Sequence, residues 1–450
     1  MTSKRGSKLI KPCKFLIVLI LLTWMFFQLS AFDYIKPSQI IHTENKVDIT
    51  TLLGSKSPYP KNEYENYTGT CKLQQIHVFA RHAARYATRS KLNKMHTLVH
   101  ILRDNVSNQT HPRLSNLTIP FPIDQPGMLA PSGIRDLQSF ATRLKHRYYE
   151  LIQQSNATRL FSSNSPRVVD SANIIRKVLF DNQSSKLEII KSRSTDADLN
   201  PTQSCRKYKK DARFVPIEDE IYKSRVLKPL TERISNTIEY TLTDKQVYTL
   251  MDICAAQLAL LNFKMDDGVC YLFTENDLIS YGIMDNLEKY YKLGYGLEIN
   301  KWMTCSYWES LYSELAQLNG NHINISMRFS HAETIIPIVT SLGLFNDPIK
   351  PTASLTFNQL VSHQFQVSKF GPFQGNLIFE VYDCGTDSRQ MRFLLNEKPQ
   401  PIPSCKKMPN GLCNVDEFFN IYRELLNCKY DTVCENKKKT SGGWNRDYLV

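Results

Sequence analysis

The period of the hydrophobic pattern changes several times along the chain, and each change marks an element. Ile76-His77-Val78-Phe79-Ala80 is a short apolar run that predicts a buried strand. It stops at once in Arg81-His82-Ala83-Ala84-Arg85. Residues 89–104 carry Leu92, Met95, Val99 and Leu102 at helical spacing. Residues 105–126 hold four prolines and read as loop. A glycine-bounded turn then leads into a helix along Leu137, Phe140, Leu144 and Tyr148. Residues 160–180 predict a short strand, a polar turn holding Arg167, and a helix carrying Ile174, Ile175 and Leu179.

Residues 191–319 change character. Charge is dense at Arg206, Lys207, Lys209, Lys210 and Asp211, and helical spacing dominates, as in Val247-Leu250-Met251-Cys254 and Leu287-Tyr290-Tyr291. A helical insertion is expected there. Residues 323–345 return to strand followed by helix, and the strand ends at Ser330-His331-Ala332-Glu333. A further strand is expected over 376–382, followed by a tail with Cys405, Cys413, Cys428 and Cys434. The polar stretch 33–70, with Pro37, Pro58 and Pro60, reads as an irregular lead-in. No internal repeat or low-complexity tract is visible.

Composition narrows the classes. A chain of 450 residues with 42% hydrophobic content suits one very large domain or two ordinary ones. The net charge of +13 favours an anionic partner, even after setting aside Lys4, Arg5, Lys8, Lys11 and Lys14 before the first apolar run. Nucleic acid is not expected, because zinc-finger spacing, RNA-binding aromatic motifs and a sustained basic helix are all missing from the sequence. Lys437-Lys438-Lys439 reads as a solvated tail.

The basic flank and the apolar run 15–27 have the layout of a secretory signal peptide or a short signal-anchor within residues 1–32. The run is shorter than the ~20 residues of a comfortable span. Membrane attachment through it is the alternative to cleavage. Cys13 aside, ten cysteines remain, none in C-x-x-C spacing, and they read as disulfides of an oxidising compartment. Seven sequons agree: Asn66, Asn105, Asn108, Asn116, Asn156, Asn182 and Asn324. The expectation is the secretory pathway, whether secreted, anchored at the cell surface or in the endoplasmic reticulum lumen. The ending Tyr448-Leu449-Val450 is no retention signal of the K-D-E-L type. His96 and His100 have zinc-ligand spacing but no third ligand, so they read as surface histidines and no metal is expected.

Two strand ends therefore carry an imidazole each. Carboxyl ends of strands are where open α/β sheets bind ligands. The forks of Arg81 and Arg85 match phosphate oxygens bidentately. A neutral imidazole between them is placed to attack a phosphoryl group. The helix start after His331 favours an anion, and the Glu333 carboxylate stands two residues on from that imidazole.

Four motifs occur in order: RHAARYAT at 81–88, GMLAPSG at 127–133, SPRVVDSA at 165–172 and SHAE at 330–333. With them the chain resembles the histidine acid phosphatase family from about residue 71 to about 435. Within it, the chain is most similar to the multiple inositol polyphosphate phosphatases and related phytases. The resemblance implies an α/β fold: a core with a mixed central sheet flanked by helices, built from residues 71–190 and 320–450, and a mostly helical domain inserted over 191–319. It implies His82 as nucleophile forming a phosphohistidine, with Arg81, Arg85 and Arg167 as phosphate ligands. His331 would be a further donor, Glu333 the proton donor to the leaving oxygen, and Thr88 a substrate-pocket residue. His-Ala-Glu, rather than His-Asp, is the pattern of the inositol polyphosphate group. The implied substrate is a small anionic polyphosphate, inositol hexakisphosphate and lower, without a cofactor; 2,3-bisphosphoglycerate 3-phosphatase activity is also implied.

Alternatives are a broader acid phosphatase or phytase, and a pseudo-enzyme that binds polyphosphates without turnover. The family pattern reads R-H-G-x-R-x-P, and here Ala83 and Ala87 replace the glycine and the proline. The resemblance also implies disulfides Cys71–Cys384, Cys254–Cys270 and Cys405–Cys413. Cys205 and Cys305 are left to pair with Cys428 and Cys434 in either order.

Overall fold

The apolar run at 76–80 is the middle of strand β1 (Lys72–Arg81), beside which seven further strands assemble. The computed structural model describes residues 48–60, 67, 69–109, 111–155, 157–180, 187–190, 196–317, 323–385, 389–406 and 411–435. The apolar segment 15–27, Cys13, Lys437-Lys438-Lys439 and the sequons at Asn66, Asn156 and Asn182 lie outside the described residues. The described residues form one compact unit.

On one side of β1 lies β4 (Ile325–Ser330), then β2 (Thr158–Ser163), then β3 (Leu187–Ile190), all parallel. On the other side β5 (Asn376–Asp383), β6 (Gln390–Leu395) and β7 (Lys398–Gln400) continue antiparallel, and β8 (Cys413–Asn414) also pairs with β6. The sheet is mixed, as expected. Both of its faces are covered, so β1 carries the apolar run 76–80, while β4 alternates Ile325, Met327 and Phe329 with Ser326, Arg328 and Ser330, all of them buried.

Ile76, Val78 and Ala80 face helices α2 (Pro131–Arg147) and α3 (Pro166–Phe180), where they meet Leu137, Phe140, Val168 and Ile175. Phe79 on the opposite face joins a second cluster with Trp308, Ile335 and Phe379. Helix α1 (Arg89–Asn105) buries Leu92, Met95, Leu98, Val99 and Leu102 in this second cluster. On α1, His100 is exposed and His96 is half-buried with Nε2 3.1 Å from the Phe121 carbonyl.

Every described element from Pro201 to Leu315 is a helix or a helical turn. The long ones are α4 (Glu218–Ile238), α5 (Asp244–Leu261), α6 (Glu275–Leu293) and α7 (Cys305–Leu315). Capping boxes start α5 (Thr243 with Gln246) and α6 (Thr274 with Asp277), each satisfying backbone donors that the first turn leaves open. Leu250 of α5 and Leu287 of α6 share one apolar cluster with Phe79 and Phe379 of the sheet. No described helix is long and apolar enough to cross a membrane.

Five disulfides tie this frame. Cys71–Cys384 joins the start of β1 to the residue after β5, and Cys254–Cys270 and Cys405–Cys413 close short loops. The order that the sequence left open is Cys205–Cys434 and Cys305–Cys428. Asn105, Asn108 and Asn116 are exposed, whereas Asn324 is half-buried, with its amide 3.4 Å from the Gln74 carbonyl.

Charge is also buried under the sheet. Arg328 of β4 forms a two-armed pair with Glu314 of α7 (3.1 and 2.9 Å), and His77 Nδ1 lies 3.2 Å from the same carboxylate. Arg328 also donates to Ser326 Oγ at 2.8 Å.

Candidate active site

The parallel order of β1, β4 and β2 brings their carboxyl ends together: Arg81 is opposite Ser330, and Ser162 opposite Phe329. Because β5 runs antiparallel, the turn before it (371–375) arrives at the same end, with Ala80 opposite Asn376. Both sides pin the backbone at His82. Its N–H donates to the Ser330 carbonyl (3.0 Å), and its carbonyl accepts from Gln374 N (3.0 Å). Arg81 N donates to the Gly375 carbonyl (2.9 Å).

GMLAPSG serves as a short partner strand for the loop after β1. Tyr86 N donates to the Met128 carbonyl (3.0 Å), Gly127 N to Ala87 (2.9 Å) and Ala130 N to Ala84 (2.9 Å), with Arg85 bridged to Leu129. Ala83 is fully buried with negative φ, and its N–H reaches Ser171 Oγ at 3.3 Å. Ser171 in turn donates to the Arg167 carbonyl (2.7 Å), which couples the loop to the start of α3.

His82 Nδ1 lies 2.8 Å from the carbonyl of Ala83. A carbonyl only accepts, so this contact assigns the ring proton to Nδ1 and leaves the lone pair on Nε2. Burial, followed by the charges of Arg81, His331, Arg85 and Arg167, holds the imidazole well below its ordinary pKa, so it is neutral.

The guanidiniums are fixed by backbone oxygens. Arg81 Nη1 donates to the carbonyls of Ser55 (2.6 Å) and Gly371 (2.7 Å), and its plane lies over Phe373, 4.6 Å from the ring centroid. Arg85 Nη1 donates to the Tyr86 carbonyl (2.8 Å). The Nε atoms of both are buried, with no hydrogen-bond partner among the described residues. Burial lowers each to about 10, so both stay charged. Arg167, in the first turn of α3, places Nη2 3.4 Å from His331 Nδ1, and Ser163 Oγ is 3.4 Å from His331 Nε2. Buried cations with open donors form a seat for a multiply charged anion.

His331 caps α8 (Ala332–Ser341), and Glu333 stands in its first turn. Burial opposes ionisation of Glu333, but His331, Lys289 and Arg81 outweigh it and pull the carboxyl below its ordinary value. The hydroxyls flanking these residues, Ser330 Oγ and Thr334 Oγ1 (2.7 Å), donate to a single carbonyl, that of Leu199. Asp196 closes that turn, accepting from Leu199 N (2.9 Å) and Asn200 Nδ2 (2.6 Å). Burial pushes Asp196 up to about 7.

Arg81, His82, Arg85, Arg167, His331 and Glu333 are thus gathered at one end of the sheet, from three segments far apart in sequence. Thr88 is exposed at the N-cap of α1, and among the described residues no hydrogen bond joins it to this group. Sequence reasoning missed Ser55, Ser171, Leu199 and the 371–375 turn. The G-P-F-Q-G run marked that turn. Ser55 and Leu199 act through backbone carbonyls, which carry no motif, and Ser171 lies within SPRVVDSA, where Arg167 drew the attention. A polar cavity of about 500 Å³ lies at the opposite end, beside Tyr67, Arg147, Glu380 and Tyr382. Its acid, Glu380, is held by Tyr148 (2.7 Å), Tyr382 (2.8 Å) and Arg392 (2.6 Å) and does not approach the histidines. Cys405, Cys413 and Glu417 lie close enough to hold a metal, but the two thiols are joined to each other.

Residues 72–396 match the histidine phosphatase superfamily (branch 2), and the chain belongs to that family. It is a histidine acid phosphatase, a hydrolase. It is 26% identical to an acid phosphatase of Schizosaccharomyces pombe, covering 84% of this chain and 88% of that one. It is 24% identical to multiple inositol polyphosphate phosphatase 1 of Gallus gallus, covering 82% and 85%. In fold it is similar to the phytase from D. castellii (TM-score 0.76, 21% identical, 94% of each chain). It is also similar to the Bifidobacterium longum multiple inositol polyphosphate phosphatase in complex with inositol hexasulfate (TM-score 0.60, 15% identical, 81% and 95%).

Proposed function

We propose that the protein removes phosphates from inositol polyphosphates through a phosphohistidine on His82. The observation that carries the chemistry is His82 itself: neutral, with Nε2 bare, among Arg81, Arg85 and Arg167. Nε2 attacks phosphorus as the bond to the inositol oxygen breaks. Glu333 gives that oxygen its proton, and water then cleaves the N–P bond, releasing inorganic phosphate. The three guanidiniums and His331 hold the equatorial oxygens where charge spreads in the transition state. An alkoxide leaves poorly, and a positioned acid commonly contributes ~10²–10⁴-fold.

A polyphosphate is favoured because lysines stand beside the arginine cluster: Lys56 follows Ser55, which binds Arg81, and Lys289 acts on Glu333. Lys56 and Lys91 both pair with Asp252, and Lys289 lies 4.0 Å from Asp285 and acts electrostatically on Glu333. The similarity to inositol polyphosphate phosphatases supports the same reading. A broader acid phosphatase is the second reading, favoured by the similarity to the S. pombe enzyme. The pseudo-enzyme loses support from Ala83, whose negative φ needs no glycine.

The test is phosphate release from inositol hexakisphosphate and from a simple aryl phosphate, without added metal, with His82→Ala as control. Preference for the aryl ester would select the second reading. A silent wild type would select the pseudo-enzyme.

A further inference from the structure

Arg81 is held in part by a segment that precedes the family's first motif. Residues 49–52 and 54–56 form two short helical turns laid across the helical layer. Between them and α6 the packing leaves no room for side chains. A Cβ on Gly282 of α6 would lie 1.9 Å from the Leu52 carbonyl, and a Cβ on Gly54 would lie 2.5 Å from Asp285 Oδ2. Gly54 also has φ +59°, a conformation that other residues rarely adopt.

The strap makes directed bonds at both sides. Ser55 N donates to Asp285 Oδ2 at 2.6 Å, and the Ser55 carbonyl accepts from Arg81 Nη1 at 2.6 Å. Two residues on, the Ser57 carbonyl accepts from Phe373 N (3.0 Å), the ring on which Arg81 lies. Leu53 at the centre of the strap is fully buried, and its N–H is taken by Ser57 Oγ (3.1 Å). One residue, Ser55, therefore links a carboxylate of the helical layer to the guanidinium at the strand end. The two carbonyls on Nη1 also decide which edge of the fork faces the ligand. They occupy one nitrogen and leave the Nε–Nη2 edge, the one suited to a bidentate phosphate contact.

We propose that Asp285 is a positioning residue for phosphoryl binding, acting through the Gly54–Ser55 strap to fix the orientation of Arg81. This rests on the reading of Arg81 as a phosphate ligand. The fork need not be lost for activity to suffer, since a displacement of about 1 Å can cost ~10²-fold.

The experiment measures kcat and KM on an aryl phosphate, and inhibition by inorganic phosphate, for wild type, Asp285→Ala, Asp285→Asn, Arg81→Lys and the Asp285→Ala/Arg81→Lys double variant. Thermal unfolding serves as a fold control. Asp285→Ala is expected to raise KM and the phosphate inhibition constant by ~10-fold or more, within the range such displacements produce. Asp285→Asn keeps an oxygen to accept from Ser55 N and is expected to recover most of that loss. In the Arg81→Lys background, which has no fork to orient, the Asp285→Ala change is expected to add little. Equal losses in both backgrounds, or an Asn variant as poor as Ala, would overturn the proposal while leaving Arg81 as a ligand. An Arg81→Lys enzyme with unchanged phosphate inhibition would instead overturn the ligand reading and the proposal with it. Should Asp285→Ala fail to fold, Gly282→Ala displaces the strap without touching Asp285. It is expected to show the same rise in KM, and an unchanged KM in a folded Gly282→Ala enzyme would count against the proposal.

Discussion

The rings of His82 and His331 stand 5.5 Å apart between centroids at an interplanar angle of 72°. The two imidazoles come from neighbouring parallel strands and meet edge to face in a pocket that already holds three guanidiniums. Burial, followed by the charges of Arg81, His331, Arg85 and Arg167, disfavours protonation of His82 and keeps its imidazole neutral in acid.

The pH dependence follows from that pair and Glu333. His82 must be neutral, and its lowered pKa carries activity to pH values below the ordinary histidine range. Glu333 must be protonated to assist a poor leaving group, and its lowered pKa makes that fraction grow as pH falls. Inositol phosphate turnover is therefore expected to be greatest on the acid side of neutrality and to decline with rising pH. Glu333→Gln should slow inositol phosphate hydrolysis by ~10²-fold or more while sparing an activated aryl phosphate, which needs no acid. Parallel pH–rate profiles on both substrates check this, and equal losses on the two would contradict the role.

The buried Arg328–Glu314 pair predicts a stability effect away from the chemistry. Glu314→Ala leaves the Arg328 charge buried without its partner, a change expected to cost about 3–5 kcal/mol. Burial opposes ionisation of Glu314, but Arg328 and the hydrogen bond from His77 pull its pKa far below the ordinary carboxylate value. The stabilisation is thus complete above that ordinary value and is lost as pH falls through the folded-state value. Thermal unfolding between pH 3 and pH 7 should show a steeper acid loss in wild type than in Glu314→Gln.

Asp196 has the opposite sign. Burial raises it to about 7, so the folded state holds its proton more tightly than the unfolded one. Stability from this group is full below the ordinary carboxylate value and declines as pH rises from there to about 7. Asp196→Asn keeps an acceptor for Leu199 N and removes the titration. Its unfolding temperature should therefore vary less with pH across that window than that of wild type.

Ala83→Gly is expected to change turnover only modestly. The position has negative φ and a buried methyl, so glycine adds no needed freedom. Its cost is chiefly backbone entropy, of order 0.5–1 kcal/mol. Phosphate release measured side by side decides the matter; a large gain on introducing glycine would show that the alanine strains the loop.

Much of the site was legible because its chemistry is local in sequence. Arg81, His82 and Arg85 lie within five positions, and His331 and Glu333 within three, each at a recognisable strand end. Secondary structure was legible for the same reason: β1, α1, α2, α3 and β4 all follow from short-range periodicity and match the expected segments to within a few residues. The strand expected from residue 323 begins at Ile325, and the helix after it ends at Ser341.

What local pattern could not supply is the meeting of distant segments. Residues 48–57 read as irregular because their helical turns are too short for periodicity, yet Ser55 lies 26 positions before Arg81 and orients it. Leu199 supports the His331 loop through a carbonyl, a group every residue has and no motif marks. The order of Cys205, Cys305, Cys428 and Cys434 was equally open, because pairing depends on which ends of the chain come within bonding distance. The sequence alone determined which candidate groups are present and on which elements they sit. Only the tertiary structure decided how those groups are aimed, because aim is set by backbone oxygens, buried glycines and packed faces contributed from hundreds of residues away.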